Sequence, residues 1–241
     1  RDDIALSGLL ARIDAAFLRY LNDAQRDALA VAVERALREP EAAGSRRLLL
    51  TRAFIGLAWS PEGLAELKRM LAEGGLASRD RFRIVQRLIA RGDPEAPALL
   101  ARQAAADPGD DGRRYAFAAG AADAAAKPRL FHAFLEDKAL PESWIEAALF
   151  PLNAPEQAAL TRPLLAEALA RLPELKRTRK IFFVNNWLDA FIGGQTGPEA
   201  LAAVEIFLER GNPDPDLRLK VLEAADGLER AVRIRRKFGA S

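Results

Sequence analysis

The 241-residue sequence predicts an all-α chain built from short antiparallel helix pairs. Three observations predict it. Apolar residues recur at three- and four-residue spacing between turn signals. Pro-Glu occurs seven times, at Pro40, Pro61, Pro94, Pro141, Pro155, Pro173 and Pro198. No segment alternates with period two over a useful length, so no strand is expected.

The elements follow in order. Apolar periodicity marks helices at 3–21, 24–38 and 44–59. Proline suits the first helical position because its missing N–H would be unpaired there, and a following glutamate complements the positive end of the helix dipole. A helix over 61–73 therefore starts at Pro61, behind Ser60 as N-cap, and buries Leu64, Leu67, Met70 and Leu71. Phe82, Ile84, Val85, Leu88 and Ile89 carry a helix over 79–91. Asp93 and Pro94 open one over 94–106, followed by 111–122 and 128–137. Pro141 and Pro155 begin helices over 141–150 and 155–171. A long helix over 174–192 comes next, then one over 198–210 and a last one from Pro215 to about Lys237. Gly74-Gly75, Gly92, Gly193-Gly194 and Gly211 stand where the stripes stop, as C-terminal caps would.

Paired helices of this length repeat every 30 to 40 residues or so, the range of two-helix solenoids. No residue-level consensus recurs. The expectation is one helical-repeat domain over 1–241, a right-handed α-α superhelix in the style of HEAT or armadillo arrays. The start Arg1-Asp2-Asp3, without methionine, reads as a piece of a longer protein, so the domain would be its C-terminal part.

Composition narrows the chemistry. Half of the residues are apolar and 29% charged, as in a soluble globular domain. Thirty-six lysines and arginines against 34 aspartates and glutamates give little drive toward nucleic acid. With no cysteine and a single histidine, His132, disulfides, thiolate metal sites, histidine-rich zinc sites and Cys-His pairs are set aside. No apolar run reaches the ~18 residues of a membrane span, and no signal peptide is visible.

The stretch RKIFFVNNWLDAFIGGQ, Arg179 to Gln195, departs most from the alanine-rich background. On a helix its apolar residues cover a very wide arc, which requires packing on two or more sides. Asn185, Asn186 and Asp189 form a narrow polar strip, and Phe182 falls inside it. That aromatic either covers a neighbouring loop or faces a groove. Upstream, Lys176, Arg177, Arg179 and Lys180 form a cationic run, either a solvated face or an attraction for an anionic group. A second basic cluster, Arg230, Arg233, Arg235, Arg236 and Lys237, complements the dipole at the end of the last helix. Arg113 and Arg114 oppose the dipole in a helix first turn. Either Asp110 and Asp111 compensate, or one guanidinium holds a carboxylate in a groove. His132, beside Leu130, Phe131, Phe134 and Leu135, reads as a surface or boundary histidine. The candidate groove residues are therefore Arg113, Arg114, Phe182, Asn185 and Asn186; none is a candidate for catalysis or metal binding.

From about Phe54 onward the chain resembles one family. FIGLAWSPEGLAELKRMLAEG, DGRRYAFAAGAAD, LKRTRKIFFVNNWLDAFIGG and GPEALAAVEIFLERGNPDPDLRLKVLEAADGLERAVRIRRKF carry the resemblance. They look like the C-terminal helical domain of zinc-dependent aminopeptidases related to puromycin-sensitive and endoplasmic-reticulum aminopeptidases. The resemblance implies a domain that covers the active-site chamber and limits peptide access. Its partners would be the N-terminal catalytic domain of the same polypeptide and peptide substrates, with no nucleic acid or membrane involved. The family's His-Glu-x-x-His and Gly-x-Met-Glu-Asn motifs do not occur here, so zinc and catalysis would belong to the preceding domain and this chain would hold no cofactor. The expected compartment is cytoplasmic, with an exported parent left open. A stand-alone helical-repeat scaffold binding a protein partner is the alternative, and a HEAT-like nucleic-acid binder ranks last.

Overall fold

A computed structural model describes residues 2–39 and 42–239. Among them every regular element is helical. The chain divides into two units, one ending at Ala119 and the other beginning at Gly120.

The first unit contains α1 (Asp2–Ala15), α2 (Asp23–Leu37), α3 (Gly44–Leu57), α4 (Pro61–Glu73), α5 (Ser78–Ala90), α6 (Ala96–Ala106) and α7 (Asp110–Gly120), the last ending at the boundary. Helix α3 packs on α1 and α5, and α4 packs on α2. Arg52 of α3 meets Asp80 near the start of α5, and Arg87 near the end of α5 donates to the Ala58 carbonyl just beyond α3 (2.7 Å). The contacts advance together along both helices, from Arg52–Asp80 to Ala58–Arg87, so α3 and α5 run parallel, with α4 returning between them. This is the alternation that helix pairs stacked in two layers produce.

The first expected helix, 3–21, ends differently. Residues Ala16–Tyr20 form a π turn, in which Leu21 N–H reaches back five residues to the Ala16 carbonyl (3.1 Å). Arg26, itself buried, donates to the Leu18 carbonyl at 3.0 Å and so satisfies a backbone acceptor at that irregular end.

A polar hub joins α2 to α4. The Glu34 carboxylate is buried and accepts from Trp59 N–H (2.6 Å), Ser60 N–H (2.8 Å) and Ser60 Oγ (2.5 Å). Negative charge at the start of α4 is favoured by the helix dipole, and three donors replace the lost water. Gly63 is needed beside it, because a Cβ there would stand within 2.6 Å of Glu34 Cδ. Trp59 gives its indole N–H to Asp27 (2.6 Å) and lies between Arg26, Arg87 and Arg91, whose guanidinium carbons are 4.7, 5.7 and 3.5 Å from the ring centroid. Ser60 caps α4 as expected, accepting from Gly63 N–H at 2.9 Å. Ser60→Ala removes both the cap and one Glu34 donor. It should lower stability by about 1–2 kcal/mol, read as a drop in the urea midpoint at unchanged slope.

The second unit contains α8 (Lys127–Glu136), α9 (Glu142–Leu152), α10 (Ala158–Ala170), α11 (Leu172–Thr178), α12 (Ile181–Phe191), α13 (Pro198–Arg210) and α14 (Pro215–Phe238). Helix α10 packs on α8 and α13, while α12 packs on α9 and α14. Arg179 meets Glu142 at the start of α9, and Gly194 lies against Asn153 at its end, so α9 and α12 run parallel. Two layers alternate here too.

The helix expected over 174–192 is instead two helices, broken at Arg179 and Lys180, both extended. The break lets neighbouring cations diverge: Lys176 reaches Asp214 (2.7 Å) and Asp216 (2.9 Å), while Arg179 reaches Glu142 (3.3 Å). These contacts hold Asp214 below the usual carboxylate range and raise Lys176, the Lys176–Asp214 hydrogen bond being the main cause of each. The helix expected at 94–106 begins at Ala96, because Asp93 and Pro94 form a turn in which Asp93 Oδ1 accepts from Glu95 N–H (2.9 Å). Pro40 lies outside the described residues. Gly74, Gly75 and Gly92 adopt the positive φ of C-terminal caps. Gly211 does not: its φ is −76° and it packs on Phe207.

Candidate functional site

Helix α12 starts without a side-chain cap, after Lys180. Its buried stripe is aromatic. Phe183, Trp187 and Phe191 recur every four residues, with centroids 6.0 Å apart for the first pair and 4.4 Å for the second. Phe131 of α8 closes on Phe191 edge-on at 5.5 Å, and Trp187 donates its indole N–H to the Ala168 carbonyl of α10 at 3.1 Å. Ring on ring, this stack adds to the stability gained from burying area. Most of the wide apolar arc is thus core, packed on more than one neighbouring helix, while Ile181 at its start is exposed.

The polar strip faces outward. Phe182 is 73% exposed, so it covers no loop. Asn186 donates to Glu146 of α9 at 3.4 Å, which leaves it half-buried along the α9 side. Asn185 turns toward α14 instead. With Leu188, Asp189, Lys220, Glu223 and Ala224 it lines a notch of about 110 Å³. Phe182, Asn185 and Asn186 therefore share one surface of the second unit.

Arg113 and Arg114 belong to the first unit, on α7. Arg113 pairs with Asp110 and donates to the Pro108 carbonyl (3.1 Å). Arg114 pairs with Asp111 at 2.8 Å and lies over the Tyr115 ring at 5.4 Å. The acidic residues one turn earlier offset the unfavourable dipole. His132 is exposed and lies edge-on to Phe131 at 5.4 Å.

The first unit also holds a cavity of about 560 Å³ between α2, α3 and α4, lined by Leu50, Phe54 and Met70 and rimmed by charged groups. Those groups largely answer one another. Arg69 pairs with Glu66 and Glu73, and its hydrogen bond holds Glu66 below the usual carboxylate range. Arg46 pairs with Glu39, and Arg47 donates to the Ala42 carbonyl.

One buried ionisable group escaped the sequence reading. Lys127, at the start of α8, is fully buried. Its ammonium donates to the carbonyls of Leu152 (2.5 Å) and Pro151 (3.4 Å), capping the C-terminal end of α9. Burial pushes its pKa down to about 8, against the opposing pull of Glu156 and Asp123. The only hint was its place directly before Pro128 in a helix first turn, where a cation opposes the dipole.

The chain has one histidine and no cysteine, and among the described residues no three histidine or acidic side chains come together as metal ligands. Among them, too, no helix is long and apolar enough to cross a membrane. No protein-family model matches the chain, and no curated protein matches it.

Proposed function

We propose that this chain is the C-terminal helical domain of a cytoplasmic zinc-dependent aminopeptidase related to puromycin-sensitive and endoplasmic-reticulum aminopeptidases. The observation that carries the reading is the run of similar segments, centred on LKRTRKIFFVNNWLDAFIGG. The layered helix pairs of each unit are compatible with it, as they are with a scaffold. In this role the chain contributes walls and contacts. Buried aromatics such as Trp187 and Phe191 keep α12 in place, and its outward strip meets peptide. Hydrolysis would belong to the preceding domain, where a bound zinc would supply a Lewis acid to activate water.

Two measurements test this. The reading frame upstream of Arg1 should encode His-Glu-x-x-His; a start codon close to Arg1 would instead leave the stand-alone scaffold. The purified chain, given zinc and an aminoacyl-amide substrate, should release no product. Turnover that survives extensive purification would overturn the placement of the chemistry elsewhere.

A further inference from the structure

Phe182 is the exposed side chain that core packing explains least. Its neighbour Phe183 and the rings one and two turns beyond are buried, yet Phe182 projects from the first turn of α12. One turn along the same helix, Asn185 leads into the notch against α14, its Cβ about 5–6 Å from that of Phe182. Leu219 of α14 is also exposed, at 67%.

The notch has a charge preference. Asp189 and Glu223 contribute two carboxylates against the single ammonium of Lys220, which lies 3.9 Å from Asp216 of its own helix. Glu223 is exposed and makes no ion pair with any described residue. At about 110 Å³ the notch has room for a planar side-chain end group.

We infer that the notch between α12 and α14 docks an arginine side chain of an extended peptide, with Phe182 as its stacking platform and Glu223 as its counter-charge. A guanidinium meets these demands together. It is planar and stacks on an aromatic face, and its fork of N–H donors matches a carboxylate. Lysine offers a point charge without the plane, and a peptide carboxylate would meet Asp189 and Glu223 with the wrong sign. The amides of Asn185 and Asn186 each carry a donor and an acceptor, the complement of an extended peptide backbone. The inference does not depend on the aminopeptidase reading, since a scaffold could dock the same peptide.

Fluorescence anisotropy with the full 241-residue chain tests it. The probe is a labelled short peptide with a central arginine flanked by leucines, compared with versions carrying citrulline or glutamate there. Citrulline keeps the shape and removes the charge. The arginine peptide should bind about tenfold tighter than the citrulline one, with the glutamate peptide weakest. Phe182→Ala and Glu223→Gln should each weaken the arginine peptide about tenfold, and Glu223→Gln should leave the citrulline peptide nearly unaffected. Both side chains are exposed, so melting temperatures should stay at the wild-type value. Equal binding of arginine and citrulline peptides would overturn the inference. So would variants that bind like wild type, or no binding up to about 1 mM. None of these outcomes bears on the reading-frame test above.

Discussion

Gly194→Ala should destabilise the second unit by about 4 kcal/mol, enough to lower its melting temperature by on the order of 10 °C. Gly194 lies just beyond α12, where the chain crosses the end of α9. A Cβ there would stand well under 3.0 Å from the Asn153 carbonyl oxygen, 2.6 Å from that of Ala190 and 2.9 Å from Asn153 Cβ. Two of these three are backbone atoms, so no rotamer change relieves the overlap. The Asn153 backbone has little freedom to move. Its N–H is bonded to the Leu149 and Phe150 carbonyls (both 3.1 Å), and its side chain donates to Leu149 at 3.0 Å. Next to Gly194, Gln195 is buried and donates to Thr161 of α10 at 3.0 Å, so pushing the turn outward would break that contact as well. Gly8→Ala is the control. Gly8 sits in α1 with open space where its Cβ would be, and the added methyl should stabilise the chain by roughly 0.5–1 kcal/mol. Calorimetry on both variants reads the contrast. A Gly194→Ala protein that melts like wild type would mean the turn can open without cost.

Gly194 also shows how far the sequence could be read. Pro61 and Pro198 begin their helices as local chemistry requires, and Gly74 and Gly92 take the positive φ of a cap. Such signals act within one turn, so they survive in a single sequence. Gly194 was expected to be a cap by the same rule, and its N–H does bond the Ala190 carbonyl in the last turn of α12 (2.9 Å), but what requires glycine there is a close approach to a distant helix. A sequence does not record such a contact. The break at Arg179 was hidden likewise, because its reason lies in Glu142, Asp214 and Asp216 on other helices. Helical phase did place Phe182 on the polar strip, and it is exposed there. Its partner wall from α14 was not legible, since Lys220 and Glu223 look like any solvated charges in an amphipathic helix. Glu34 and Lys127 were missed for one reason. Long charged side chains read as surface until the fold supplies their buried partners.

Raising the pH from about 7.5 to 10.5 should stabilise the wild-type second unit relative to a Lys127→Met variant by about 3 kcal/mol. Lys127 is fully buried, and its pKa falls from the usual 10.5 to about 8 because burial penalises the ammonium. Between those two values the unfolded chain binds the proton and the folded chain does not. Stability therefore rises with pH across that window and is flat below it. A shift of two to three pKa units corresponds to about 3 kcal/mol. The amine stays useful when neutral, because it keeps N–H donors for the Leu152 and Pro151 carbonyls. Methionine removes the titration and the donors together. At neutral pH these effects oppose each other. The variant escapes the cost of a buried charge but leaves the carbonyls at the end of α9 without their donor, worth about 1–3 kcal/mol. Near pH 7 the two proteins should thus differ by only about 1–2 kcal/mol, and the difference should widen in favour of the wild type as the solution becomes alkaline. Subtracting the variant cancels every other lysine and tyrosine that titrates in the same range. Urea unfolding at matched pH values, followed by tryptophan fluorescence to which Trp144 and Trp187 of the second unit contribute alongside Trp59, provides the measurement. A wild-type-minus-variant difference that stayed constant across the window would mean that Lys127 is solvated in the folded state.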